Sequence, residues 1–290
     1  MKSAITGLDS AFVPSEIELG RRAYRRRQSG KSIAIACAST LVFAIAVWAL
    51  VVNTPGWTAV QQSFFNLDVA IQAFPRVIEG LWLNIRVLFF AAIGVLIVSV
   101  ALALARTLRG PIFFPLRALA TAYTDLFRGI PLIIVLYLVG FGIPGLGLFP
   151  RMPSEFWGTI ALILTYSAYV SEVFRAGIEA VHPSQRLAAR ALGLSHAQTM
   201  RRVVMPQAVR KVTPALMNDF VAMQKDVGLI SVLGAIDAVR AAQIETAATY
   251  NFTPYVLAGL LFVLLAWPMI RLTDWYTARM RQREQMGSIV

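Results

Sequence analysis

The chain has 290 residues, of which 57% are hydrophobic and 14% charged, with a mean hydropathy of +0.64 and a net charge of +12. This composition excludes an ordinary soluble globular domain and makes lipid the expected solvent. The basic residues fall between apolar runs rather than along one aromatic-rich stripe, which argues against nucleic-acid binding.

The N-terminal arm, residues 1–32, carries Arg21, Arg22, Arg25, Arg26, Arg27 and Lys31 immediately before the apolar run 33–52. That run is long enough to cross a bilayer as a helix, and the basic cluster holds its near end inside and can contact anionic headgroups. No clear small-residue cleavage site follows, so a retained helix is expected rather than a removed leader. Gly30, Lys31 and Ser32 resemble the end of a phosphate-binding loop, but Arg25 stands where the first glycine belongs and no strand precedes it. ATP binding by this segment is therefore not expected. Cys37 is the single cysteine, which rules out an intrachain disulfide.

Five further apolar segments follow, at about 83–105, 113–141, 157–178, 214–234 and 254–273. Of the 27 Lys and Arg, 21 lie in the alternate connections, and only Arg76, Arg86, Arg151 and Arg240 lie on the opposite side. This asymmetry predicts both termini on the cytoplasmic side. The outer connections 53–76 and 140–150 are too short to form a substrate-capturing domain.

Polar groups inside such segments are expensive in lipid and are expected to face protein or a wet cavity. Near the start of the third segment, Asp125, Phe127, Arg128, Gly129 and Pro131 predict a kink or a helix end, with Arg128 either a pathway residue or an interfacial anchor. In the fourth, Thr165, Tyr169, Glu172 and Arg175 share one side of a helix. Glu172 could sense a charged substrate with Tyr169 beside it, or form a structural pair with Arg175. In the fifth, Asn218 and Lys225 are seven apart, as are Asp219 and Asp226, so all four occupy one broad sector that lines a pathway or binds helices together.

Between the fourth and fifth segments lies S-Q-R-L-A-A-R-A-L-G-L-S-H-A-Q-T-M-R-R-V-V-M-P, residues 184–206. Ser184 is expected to cap a first short helix, Gly193 to supply a left-handed turn, Ser195 and Gln198 to form a capping box, and Pro206 to stop the second helix. Leu187, Ala188, Ala191 and Leu192 cluster on one side of the first helix, while Ala197, Met200, Val203 and Val204 recur along the second. Such faces need a cover other than lipid. His182 and His196 flank the loop without other metal-ligating types nearby, so no metal site is expected.

Together with Y-T-D-L-F-R-G-I-P at 123–131, A-Y-V-S-E-V-F-R-A-G-I at 168–178 and K-D-V-G-L at 225–229, this loop resembles the permeases of importer-type ABC transporters for polar amino acids. Two residues depart from the usual pattern: Ser184 stands for Gly and Leu187 for Glu. The resemblance implies an all-α type I importer transmembrane domain over 80–280, with about six membrane helices including an extra N-terminal one at 33–52. It implies a cytoplasmic coupling loop at 182–213 that docks on a separate ATPase through Ser184, Leu187, Ala188, Ala191, Leu192, Gly193 and Pro206, and a cytoplasmic tail at 281–290. It also implies a substrate pathway for which Arg128, Tyr169, Glu172, Asn218, Asp219, Lys225 and Asp226 are the candidates. The expected partners are an ABC ATPase dimer, a second permease subunit, an extracytoplasmic solute-binding protein and membrane lipid. The chain itself is expected to bind no cofactor and catalyse nothing, ATP entering through the ATPase. The alternatives are a non-transporting scaffold or signalling subunit that keeps the docking loop, and an ion-coupled carrier, for which that loop would serve no purpose.

Overall fold

The computed structural model is described over residues 15–108 and 110–287, without the side chains at 22, 23, 25–27 and 281–287. The side chains of Arg22, Arg25, Arg26 and Arg27 and the end of the tail thus lie outside the described residues. The chain forms two units, residues 1–61 and 62–290.

The first unit is built on α1, Glu16–Val52. The Ser15 hydroxyl accepts the Glu18 backbone N–H, Glu16 and Glu18 complement the helix dipole in the first turn, and the Asn53 amide bonds back to the Ala49 carbonyl at 2.6 Å. At about 1.5 Å per residue, α1 is about 55 Å long, well beyond the roughly 30 Å of a hydrocarbon core. Residues 16–32 of the basic arm and the apolar run therefore belong to one uninterrupted helix.

A short helix, α2 (Trp57–Phe64), leads into the second unit, where α3 runs from Leu67 to Thr107 behind an Asn66 cap that accepts the N–H groups of Asp68 and Val69. After a 3₁₀ turn at Pro111–Phe113, α4 (Phe114–Gly129) and α5 (Leu132–Tyr137) meet at an angle of 109°. Ile130 is extended and Pro131 opens α5, so the kink expected from Gly129 and Pro131 is a sharp break. A π turn at Leu138–Gly142 and the single turn α6 (Ile143–Gly145) end this limb.

Next come α7 (Ser154–Glu179), α8 (Pro183–Ala191) and α9 (His196–Thr199), then a π turn at Met200–Val204 that runs directly into α10 (Met205–Asp226). A 3₁₀ segment, Val227–Leu233, ends at Gly234; α11 (Ala238–Thr249) and α12 (Thr253–Gly287) complete the unit. Among the described residues, three helical stretches are long and apolar enough to cross a membrane (28–52, 57–107 and 253–280), and the two bent pairs raise that to as many as five. The helix α7 is not among them; it carries Thr165, Tyr166, Ser167 and Ser171, all of them buried. Protein surrounds those groups, since α7 packs along α3, α4 and α10. Leu136, Leu162, Val227 and Ile230 are sealed within the core around it.

Candidate functional site

The loop between α7 and α10 departs from its sequence reading at both ends. Ser184 is not the cap of α8. Pro183 occupies the first helical position with its ring-fixed φ, which moves the cap back to His182, whose Nδ1 lies 3.3 Å from the Ser184 backbone N–H and 2.7 Å from the Ser184 hydroxyl. Nor does Pro206 stop a helix. Met200–Val204 widens into a π turn just before the proline, and the helix continues to Asp226. Such a turn re-spaces the hydrogen-bond ladder where the proline has no N–H to give.

The middle of the loop follows expectation. Gly193 has φ +79°, and the Ser195–Gln198 capping box closes in both directions at 3.3 and 2.9 Å. On α8, Leu187 is 69% exposed and Leu192 83%, with Ala188 and Ala191 also exposed and Ala189 buried on the other side. After Gly193, Ala197 is exposed and Val203 half-buried, but Met200 and Val204 behave differently. Val204 is buried with Ile178, Val181 and Ala208, and Met200 packs against the same cluster, so the chain itself covers Val204 and part of Met200. Two cations tie the loop to the end of α7: Arg186 donates to the Ile178 carbonyl, and the Lys211 ammonium to the Ala180 carbonyl at 2.7 Å.

The pathway candidates fall into two groups. On α7, Glu172 has both carboxylate oxygens engaged: Oε1 pairs with Arg106 of α3, and Oε2 with Arg175 at 2.7 Å. Arg175 also reaches Glu179 at 2.7 Å, so a four-residue ion network staples α3 to the end of α7 that enters the loop. Tyr169 is 41% exposed and its hydroxyl donates to the Arg128 carbonyl at 3.2 Å, joining α7 to the end of α4. The Arg128 side chain is exposed.

On α10 the broad sector divides by depth. Asn218 and Lys225 are exposed, whereas Asp219 and Asp226 are half-buried. Asp226 accepts the Tyr166 hydroxyl at 2.7 Å. Asp219 keeps Oδ2 buried without a hydrogen-bond partner and lines a cavity of about 210 Å³ together with Tyr166, Thr213 and Phe220.

One polar junction has no counterpart in the sequence reading. Asn84 of α3 and Asp237, the cap of α11, are both buried, and the Asn84 amide donates to Asp237 at 3.0 Å while accepting the Ala238 N–H at 3.0 Å. The other Asp237 oxygen accepts the Arg240 N–H at 2.8 Å. One turn before Asn84, a Cβ at Gly80 would lie 2.4 Å from the Asp237 carbonyl carbon, so only glycine lets the two backbones meet. A lone Asn in an apolar run was the available signal.

Comparison with known proteins fits this architecture. Residues 110–282 match the model of the binding-protein-dependent transport system inner membrane component family. The arginine transport system permease protein ArtQ of Bacillus subtilis is 37% identical over 204 residues, which cover 69% of this chain and 91% of that protein. The probable glutamine ABC transporter permease protein GlnM of the same organism is 31% identical over 205 residues, covering 70% and 93%. Among solved structures, an amino acid ABC transporter crystallised with histidines aligns at TM-score 0.65 and 34% identity, covering 72% of this chain and 96% of its own. A methionine ABC transporter in an inward-facing conformation, MetNI, shares the fold at TM-score 0.57 and 17% identity. With its helical core, its exposed α8 and this level of identity over most of its relatives' length, the chain belongs to the family of binding-protein-dependent transport system inner membrane components.

Proposed function

We propose that this chain is the membrane-spanning permease subunit of an ATP-driven importer for polar amino acids or close analogues. The observation that carries the reading is α8: an apolar face with Leu187 and Leu192 largely exposed, anchored to α7 by Arg186. An apolar helix face presented this way fits a groove on a partner. In this reading Ser184, Leu187, Ala188, Ala191, Leu192 and Gly193 meet a separate ATPase, and Pro206 lies at the joint that relays the loop's movement into α10. ATP hydrolysis belongs to that partner. The family resemblance supplies the rest: an ATPase dimer, a second permease subunit that completes the passage, and an extracytoplasmic receptor that delivers the solute.

The passage would be lined by Arg128, Tyr169, Asn218, Asp219, Lys225 and Asp226, with Glu172 governing its loop-side end through the pair with Arg106. Charged groups bearing on an apolar passage offset the cost of moving an amino acid's charges across it. The charge asymmetry of the connections supports placing both termini and the loop in the cytoplasm.

Reconstitution with the ATPase and receptor tests the reading. Uptake of a polar amino acid that requires ATP and the receptor is expected, and ATPase association without uptake would indicate a scaffold instead. In a Cys37→Ser background, a cysteine at Ser195 should react with an impermeant thiol reagent only from the cytoplasmic side. Labelling from outside would overturn the sidedness.

A further inference from the structure

A cleft of about 720 Å³ opens where the loop-side end of α3 approaches the segment after Gly193. Leu104, Phe113, Met200 and Met205 line it, and Arg190 and Arg201 add cationic groups. No Asp or Glu lines it, and among the described residues neither guanidinium has an ion-pair or hydrogen-bond partner. Both arginines are exposed. The site joins an apolar floor to two uncompensated positive charges.

Its surroundings indicate the depth. Leu104 lies three residues from the end of a stretch long and apolar enough to cross the membrane, and the residues just beyond it include Ile112, 87% exposed, and Phe114, 64% exposed. No other part of the described chain covers these side chains, and in a membrane protein apolar groups at the end of a spanning helix meet lipid. Phe113 belongs both to this exposed apolar segment and to the cleft wall, so the cleft floor is continuous with an apolar surface just beyond the spanning stretch, and the two arginines lie beside it.

We propose that this cleft binds one anionic phospholipid, its phosphate between Arg190 and Arg201 and an acyl chain along Leu104, Phe113, Met200 and Met205. The bound lipid bridges α3 to the coupling loop on both sides of Gly193, which makes the charge of the adjoining leaflet an input to the loop's position. Only the identity of that leaflet rests on the sidedness proposed above.

Native mass spectrometry of the full-length chain in detergent, with dioleoylphosphatidylglycerol or dioleoylphosphatidylcholine added, tests the site without reference to sidedness or transport. The anionic lipid is expected to be retained in preference to the zwitterionic one. Because each arginine near an anionic headgroup contributes about fivefold, the double variant Arg190→Gln, Arg201→Gln should lower that retention by roughly thirtyfold. Arg190→Lys, Arg201→Lys should keep most of it. Equal retention of the two lipids, or a glutamine double variant that retains the anionic lipid like the parent, overturns the proposal. So does displacement by soluble glycerol phosphate at equal concentration, which would show a phosphate site with no acyl component. A double variant that loses ATPase association while keeping its lipid would assign the arginines to the protein partner and overturn it as well. Failure of the Ser195 labelling test alone would change the leaflet and leave the site standing.

Discussion

The loop between α7 and α10 and the α3–α11 junction solve opposite problems. At the loop, α8 turns Leu187 and Leu192 outward and its turns are built from neighbours in sequence: His182 with Ser184, Ser195 with Gln198 and Gly193 at φ +79°. At the junction, Gly80, Asn84 and Asp237 are buried and joined across more than 150 residues. Local devices shape a surface that something else must cover, whereas the non-local lock brings two helices together inside the core. A change in the first should alter association, and a change in the second should alter whether the protein is folded at all.

The largest effect is expected at Gly80. Gly80→Val drives a branched side chain into the Asp237 backbone, and we expect a loss of about 3 kcal/mol or more, seen as little monodisperse protein after extraction. Recovery at the parental level would mean that α3 and α11 can part without unfolding the unit. Asp237→Ala removes the α11 cap and leaves the buried Asn84 amide unpartnered, costing about 2–3 kcal/mol. Combined with Asn84→Ala it should be less damaging than the two single changes added together, and simple additivity in thermal unfolding would break the lock.

At the loop, Gly193→Val forces a β-branched residue to a positive φ, a local cost of about 1–3 kcal/mol. Insertion and core stability should survive while ATPase co-purification falls, and full association at parental expression would remove the turn from the docking model. The smallest effect is expected from Leu187→Glu. It replaces an exposed side chain, so the melting temperature should shift by about a degree or less, and ATPase association should persist because the change restores the residue usual in the family.

The same division explains what the sequence disclosed. The all-helical membrane class, the break before Pro131, the left-handed Gly193 and the Ser195–Gln198 box depend on composition or on residues within four positions, and all were legible. Ser184 and Pro206 failed for reasons that are also local but compete: Pro183 claims the first helical position, and a π turn absorbs the second proline. The covering of Met200 and Val204 depends on Ile178 and Val181 in space, and the Arg106–Glu172 pair and the Asn84–Asp237 lock depend on partners 66 and 153 positions away. Periodicity along one helix holds no information about such partners. The sequence could pair Glu172 with Arg175 at helical spacing, but it could not supply Arg106.

The π turn at Met200–Val204 has one more consequence. A helix that holds one surplus residue keeps its two flanks out of phase by about 100° relative to a regular helix. Deleting a single residue there would let the turn relax to ordinary α geometry, and because the residue removed is the surplus one, the two flanks would keep nearly the same relative azimuth. The α8 side and α10 would each remain intact and in place. A one-residue deletion at this joint should therefore be tolerated, whereas the same deletion within the regular turns of α10 would rotate everything beyond it by about 100°.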